Sequence, residues 1–129
     1  MDYQMIHSCL RVMDLEVSED FYRKALGFEV SRKLDFPEHK FTLSYLTGAG
    51  SPFELELTYN YDQAEPYQVG DGYSHLAVSV ADLEASRARH EELGLKPGPI
   101  KGLGADGKGM FYFLRDPDGY FVEVVRRRG

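Results

Sequence analysis

Four residues of two common metal-ligand types fall in pairs along the chain, His7 with Glu56 and His75 with Glu123. The second pair repeats the first, at offsets of 75 − 7 = 68 and 123 − 56 = 67 residues. Two neutral imidazoles and two carboxylates neutralise a 2+ ion. With no thiolate among them they suit Ni, Co, Mn, Fe or Zn in an octahedral site with water positions left open for chemistry. Taken singly, a strand His is commonly structural, and a Glu between apolar neighbours can simply face water. Together they read differently. Glu56 lies between Leu55 and Leu57 and Glu123 between Val122 and Val124, each on the polar side of an alternating strand at repeat-equivalent places. Glu54 shares the alternation phase of Glu56, but its repeat partner Phe121 is apolar, so Glu54 is expected to be a solvated or rim residue.

The elements that must position these side chains form an internal repeat. Residues Ile6 to Ser18 overlay Ser74 to Ser86 with matching His, Val, Asp, Leu, Glu and Ser, and Phe53 to Leu57 overlays Tyr120 to Val124. Each half opens with a short β-branched run, Ile6 to Val12 or His75 to Val80, followed by an Asp suited to cap a helix. In the first helix Leu15, Ser18, Tyr22 and Leu26 share a face with Phe21 and Ala25 beside it. Gly27 sits where a left-handed C-cap is wanted, as Gly94 does in the second half. Strands are expected near 29–34, 41–46 and 53–59, then near 95–100, 110–114 and 120–126. The order is β-α-β-β-β twice: one domain made of module 5–60, linker 61–72 and module 73–126. Asp116-Pro117-Asp118-Gly119 is a turn between the last two strands. If first and last strands lie side by side in each module, each His faces its own Glu.

Composition narrows the function classes. With 15 Lys and Arg against 21 Asp and Glu the net charge is −6, which argues against nucleic acid as the main partner. No stretch approaches the roughly 18 apolar residues of a membrane span, and Met1-Asp2-Tyr3 lacks the character of a secretory signal, so a cytoplasmic location is expected. The single Cys9 can form no internal disulfide and is expected to be a small buried hydrophobe. Arg126-Arg127-Arg128 is expected to be a solvated tail, and His39 and His90 are expected at the surface. Gly102 to Gly107 fits G-x-G-x-x-G, but a strand follows where a helix would be needed, so a flexible loop is the better reading.

Several strings resemble glyoxalase I (lactoylglutathione lyase) of the vicinal oxygen chelate superfamily, over about residues 5–126. They are His7-Ser8-Cys9-Leu10-Arg11-Val12 leading to Asp20-Phe21-Tyr22, Pro37-Glu38-His39-Lys40-Phe41, Glu56-Leu57-Thr58-Tyr59-Asn60, Tyr73-Ser74-His75-Leu76-Ala77, and Asp116-Pro117-Asp118-Gly119-Tyr120-Phe121-Val122-Glu123. The Asp-Pro-Asp-Gly-Tyr turn is shared widely in the superfamily, whereas Glu-Leu-Thr-Tyr-Asn is more specific to glyoxalase I. The resemblance implies an α+β fold of tandem βαβββ modules whose mixed, curved sheets form a cleft across a homodimer.

It further implies isomerisation of the methylglyoxal–glutathione hemithioacetal to S-lactoylglutathione, by glutamate-mediated proton transfer through a metal-bound enediolate. His7, Glu56, His75 and Glu123 match the metal-ligand positions, with Glu123 the principal base and Glu56 a ligand and second acid or base. Each site takes His7 and Glu56 from one subunit and His75 and Glu123 from its partner. Arg11 and Asn60 match positions that contact the thiol's peptide portion, and Lys101 lies in a loop where a cationic contact is often placed. Asp71 departs from the pattern, standing where some larger relatives carry an Arg. The short chain resembles the nickel- and cobalt-activated group, which points to Ni, with Co, Zn or Mn as alternatives. The nearest rivals are another metal-dependent member such as methylmalonyl-CoA epimerase, typically with Gln at the position of Glu56, and a non-catalytic ligand-sequestering dimer.

Overall fold

The computed structural model describes residues 1–128. The chain divides into two compact units, Met1–Gln68 and Val69–Gly129. The first contains β1 (His7–Val12), α1 (Leu15–Leu26), β2 (Glu29–Phe36), β3 (Phe41–Thr47) and β4 (Glu54–Asn60), and the second β5 (His75–Val80), α2 (Leu83–Glu92), β6 (Phe111–Arg115) and β7 (Phe121–Arg126).

In the first unit the sheet order is β1-β4-β3-β2, with β1 parallel to β4 and the other pairs antiparallel. A parallel pair cannot be joined by a tight turn, so the chain must travel through α1 and the β2–β3 hairpin before β4 can lie beside β1. Asp14 caps α1 by accepting a hydrogen bond from the Val17 amide at 3.2 Å. Gly27 closes the helix at φ +70°, donating its N–H to the Arg23 carbonyl. The buried face of α1 carries Ser18, Phe21, Tyr22 and Ala25. On the sheet, Leu10, Val12, Leu55 and Leu57 are buried and lie in the opposite phase to Cys9 and Glu56.

The second unit has sheet order β5-β7-β6, again with the first and last strands parallel. Its core is Tyr112, Leu114, Val122, Val124 and Leu83. α2, capped by Asp82, has little apolar surface, and its inward stripe Leu83, Ser86 and His90 is completed by polar contacts. The Tyr112 hydroxyl lies 2.7 Å from both Ser86 Oγ and His90 Nδ1. His90, expected at the surface, is therefore buried, at 2% exposure, because i, i+3, i+7 spacing puts it on the face that Leu83 buries.

The expected strand near 95–100 is absent. Gly94 and Lys96 adopt positive φ, and Pro97 and Pro99 have no N–H to give a ladder. What remains is a Gly98 N–H bonded to the Phe113 carbonyl and an isolated bridge from Lys101 to Phe111. Of the basic run, Arg127 and Arg128 are exposed as expected, whereas Arg126 is partly buried. Arg126 forks onto the Glu84 carboxylate at the start of α2 and donates to the Gly109 carbonyl, while Arg127 donates to Ser79. In the 116–119 turn, Asp116 Oδ1 accepts from the Asp118 and Tyr120 amides, and Gly119 adopts φ +90°.

Leu57 is fully buried, whereas Leu103 stands in solvent. Leu57→Ala is expected to cost about 2–5 kcal/mol, read from the urea unfolding midpoint at constant m. Leu103→Ala is expected to stay within about 0.5 kcal/mol of the parent.

Candidate metal centre

Parallel pairing fixes which side chains of β1 and β4 share a face. The register sets His7 opposite Glu54, Cys9 opposite Glu56 and Arg11 opposite Thr58. His7 thus reaches Glu56 diagonally, one strand step along, with Nε2 3.9 Å from Oε1. The second unit repeats the arrangement: His75 pairs with Phe121 and Ala77 with Glu123, and His75 Nε2 lies 3.4 Å from Glu123 Oε1. Ser74 Oγ sits 2.6 Å from His75 Nδ1, so that nitrogen is engaged while Nε2 is directed toward the carboxylate.

The donor types of each pair, a neutral imidazole and a carboxylate, suit a divalent ion. Two donors each about 2.1 Å from one metal can be no more than about 4.2 Å apart. The separations of 3.9 and 3.4 Å are within that reach, and wider than the spacing of about 3.0 Å between adjacent octahedral positions. Among the described residues no three His, Cys, Asp or Glu side chains are grouped as a metal would require. Each unit offers two donors.

The two carboxylates have unequal surroundings. Glu56 accepts hydrogen bonds from the Tyr45 hydroxyl at 2.6 Å and from Thr58 Oγ1 at 3.3 Å, and Cys9 Sγ lies 3.2 Å from the same Thr58 oxygen. Burial pushes the Glu56 carboxyl upward, but the hydrogen bonds from Cys9 and Tyr45 and the nearby His7 outweigh it and hold the pKa below the usual value. Reciprocally, the hydrogen bond to Glu56, with burial, pushes Tyr45 up to about 12. At Glu123 the equivalent positions are Phe113 across the antiparallel ladder, Ala77 across the parallel one and Val125 two residues on, none with a side-chain donor. Phe113 instead packs edge-on against His75, Phe111 and Phe121.

Glu54 is partly exposed, as a rim residue is, but it is not free in solvent. Its carboxylate binds Arg32 Nη2 at 3.1 Å and Ser31 Oγ at 2.8 Å, which lowers its pKa, and Arg32 lies over the Tyr45 ring at 3.9 Å from the ring centre. This ion pair braces the wall behind Glu56. Cys9 is not a buried hydrophobe: register places it on the polar face opposite Glu56, and the residue is exposed. Partial burial of the sulfur, with the Glu56 carboxylate beside it, raises its pKa.

Arg11 and Asn60 share the alternation phase of His7 and Glu56, while Lys101 belongs to the second unit. Asn60 Nδ2 donates to the Tyr67 hydroxyl at 2.9 Å. Sequence reading missed Tyr45 and Thr58. Thr58 was accessible from alternation, two residues beyond Glu56; Tyr45 was not, because its place depends on the β3–β4 register.

The model of the Glyoxalase/Bleomycin resistance protein/Dioxygenase superfamily matches residues 4–124. The chain belongs to this superfamily. A lactoylglutathione lyase of Haemophilus influenzae is 37% identical over 131 residues, covering 97% of this chain and 93% of the relative. A probable chloroplastic lactoylglutathione lyase of Arabidopsis thaliana is 38% identical over 96% of this chain. The chain spans only 36–44% of the length of the plant relatives it matches. Among solved structures, the trypanothione-dependent glyoxalase I of Leishmania major superposes with a TM-score of 0.80 at 37% identity, covering 97% of this chain and 87% of that one. The α+β class and the superfamily fold stand, with the second module's first inner strand reduced to a bridge.

Cys9 is the chain's single thiol, so its reactivity can be read without ambiguity. A raised pKa means less thiolate at a given pH. The metal-free protein is expected to react with Ellman's reagent at pH 8 more slowly than a free cysteine peptide, and Glu56→Gln, which removes the adjacent negative charge, to react faster than the parent.

Proposed function

We propose that this chain is a metal-dependent lactoylglutathione lyase that converts the hemithioacetal of methylglyoxal and glutathione into S-lactoylglutathione. The carrying observation is the duplicated His–Glu pair, in a chain that aligns over 97% of its length with a bacterial lactoylglutathione lyase. In this reading His7, Glu56, His75 and Glu123 hold one divalent ion. A composite site at a homodimer interface is supported by each unit offering only two donors, so His7 and Glu56 would come from one subunit and His75 and Glu123 from its partner.

When bound, the ion supplies Lewis-acid charge that lowers the energy of negative charge developing on the substrate oxygens. Glu123 would remove the proton from the hemithioacetal carbon and return it to the neighbouring carbon, while the hemithioacetal hydroxyl gives up its proton and the former ketone oxygen gains one, so that ketone and hemithioacetal become alcohol and thioester with no net change in protons. Glu123 is preferred as base because the positions facing it carry no hydrogen-bond donors, whereas the Glu56 carboxylate already accepts from Tyr45 and Thr58. Glu56 serves as ligand and second acid or base. Arg11, Asn60 and Lys101 would hold the thiol's charged peptide portion; Arg11 and Asn60 are supported by their phase on the His7–Glu56 face.

Nickel is our preferred ion, with Co, Zn and Mn the alternatives. We place the reaction in the cytoplasm. Among the described residues no helix is long and apolar enough to cross a membrane.

Metal-free protein reloaded with Ni2+ is expected to form S-lactoylglutathione from methylglyoxal and glutathione, followed by ultraviolet absorbance. No turnover with Ni2+, Co2+, Zn2+ or Mn2+ would reject the reading, and turnover of a CoA thioester instead would favour an epimerase. Subunit mixing tests the shared site. His7→Ala and Glu123→Ala homodimers are each expected to be inactive, while a heterodimer retains one intact site. Random reassortment should therefore restore about a quarter of wild-type activity.

A further inference from the structure

The two His–Glu pairs are equivalent in backbone register, yet only one is anchored. Tyr45 on β3 stands directly across the antiparallel ladder from Glu56, and Phe113 on β6 stands in the same relation to Glu123. The difference between them is one phenolic oxygen. That oxygen donates to Glu56 Oε1, the same oxygen that faces His7, at 2.6 Å. Tyr45 is itself immobilised. It is 6% exposed, its ring and that of His7 meet in a T-shaped contact at 5.7 Å, and the Arg32 guanidinium held by Glu54 lies over its ring. A hydroxyl fixed in this way restricts the carboxylate's side-chain torsions and occupies one of its acceptor positions, the means by which outer groups orient a metal ligand.

We propose that Tyr45 is a positioning residue that pins Glu56 as the stationary ligand of the site and so leaves proton transfer to Glu123. This rests on the function proposed above and adds a cause for the division of labour: Glu56 is tethered by the β3 hydroxyl, and Glu123 swings because β6 offers none. Tyr45 is buried, and its hydroxyl is engaged by Glu56. Its effect runs through the orientation of Glu56, and so through metal affinity and turnover rather than substrate affinity.

The test compares Tyr45→Phe and Phe113→Tyr with the parent, by calorimetric titration of Ni2+ into metal-free protein and by steady-state kinetics at saturating Ni2+. Tyr45→Phe keeps the ring and removes only the hydroxyl. It is expected to weaken Ni2+ binding about 10-fold and to lower kcat severalfold, with KM within about twofold of the parent. Phe113→Tyr brings a donor to Glu123 and is expected to lower kcat while leaving Ni2+ affinity within about threefold, because the tether slows the base without removing a ligand. Parental Ni2+ affinity in Tyr45→Phe overturns the proposal, as does a KM rise with unchanged kcat. Should Tyr45→Phe not fold, Phe113→Tyr decides: unchanged kcat overturns the proposal. A parent that binds no Ni2+ and turns over no hemithioacetal refutes the function itself, and the role of Tyr45 falls with it.

Discussion

Everything at the candidate centre depends on the parallel pairing of the first and last strands of each module. In that ladder the His of the first strand and the Glu of the last come out on the same face, one strand step apart. Side chains alternate with a period of two, so a slip of one residue would send imidazole and carboxylate to opposite faces. The buried residues enforce the register. Leu10 and Val12 on β1 and Leu55 and Leu57 on β4 are buried together on one face, and their burial obliges Cys9 and Glu56 to lie on the other. The hydrophobic core of each half thereby aims its His and Glu, leaving them on the face that the core does not need.

Duplication gives two copies of this device, and the sequence has since diverged around one carboxylate. In the first unit the face is polar and braced, running from Arg32 and Glu54 through Tyr45 to Glu56 and Thr58. In the second unit the corresponding ground is aromatic, with Phe111, Phe113 and Phe121 packed edge to face. Were both carboxylates to serve one site, as proposed, surrounding one with donors and the other with rings would give them unequal parts, as when two carboxylates of one site divide between fixed charge and proton transfer.

Much of this was legible in the residues. The repeat placed His7 over His75 and Glu56 near Glu123, and strand alternation picked out their faces. The failures have two origins. The strand near 95–100 was expected from the repeat, but Pro97, Pro99 and the positive φ at Gly94 and Lys96, which are local features, deny it a ladder. The others depend on distant residues. His90 looked like part of a charged helix because its partner, the Tyr112 hydroxyl, is 22 residues away in sequence. Cys9 was misjudged from residue type, when its setting depends on β1–β4 register, and the arginine from β2 that pairs with Glu54 was not foreseen. Long-range register is what a local reading cannot supply, and Tyr45 is the residue for which that matters most.

The central claim is that one ion draws a His and a Glu from each of two units belonging to different subunits. X-ray absorption at the nickel edge of the reloaded protein reads this most directly, because imidazole rings give a countable multiple-scattering signature. The account predicts two imidazoles per nickel with oxygen donors completing the shell, falling to one in the His75→Ala protein. One imidazole per nickel in the parent would show that each His–Glu pair binds alone, and a sulfur neighbour would place Cys9 in the shell; either result contradicts the account.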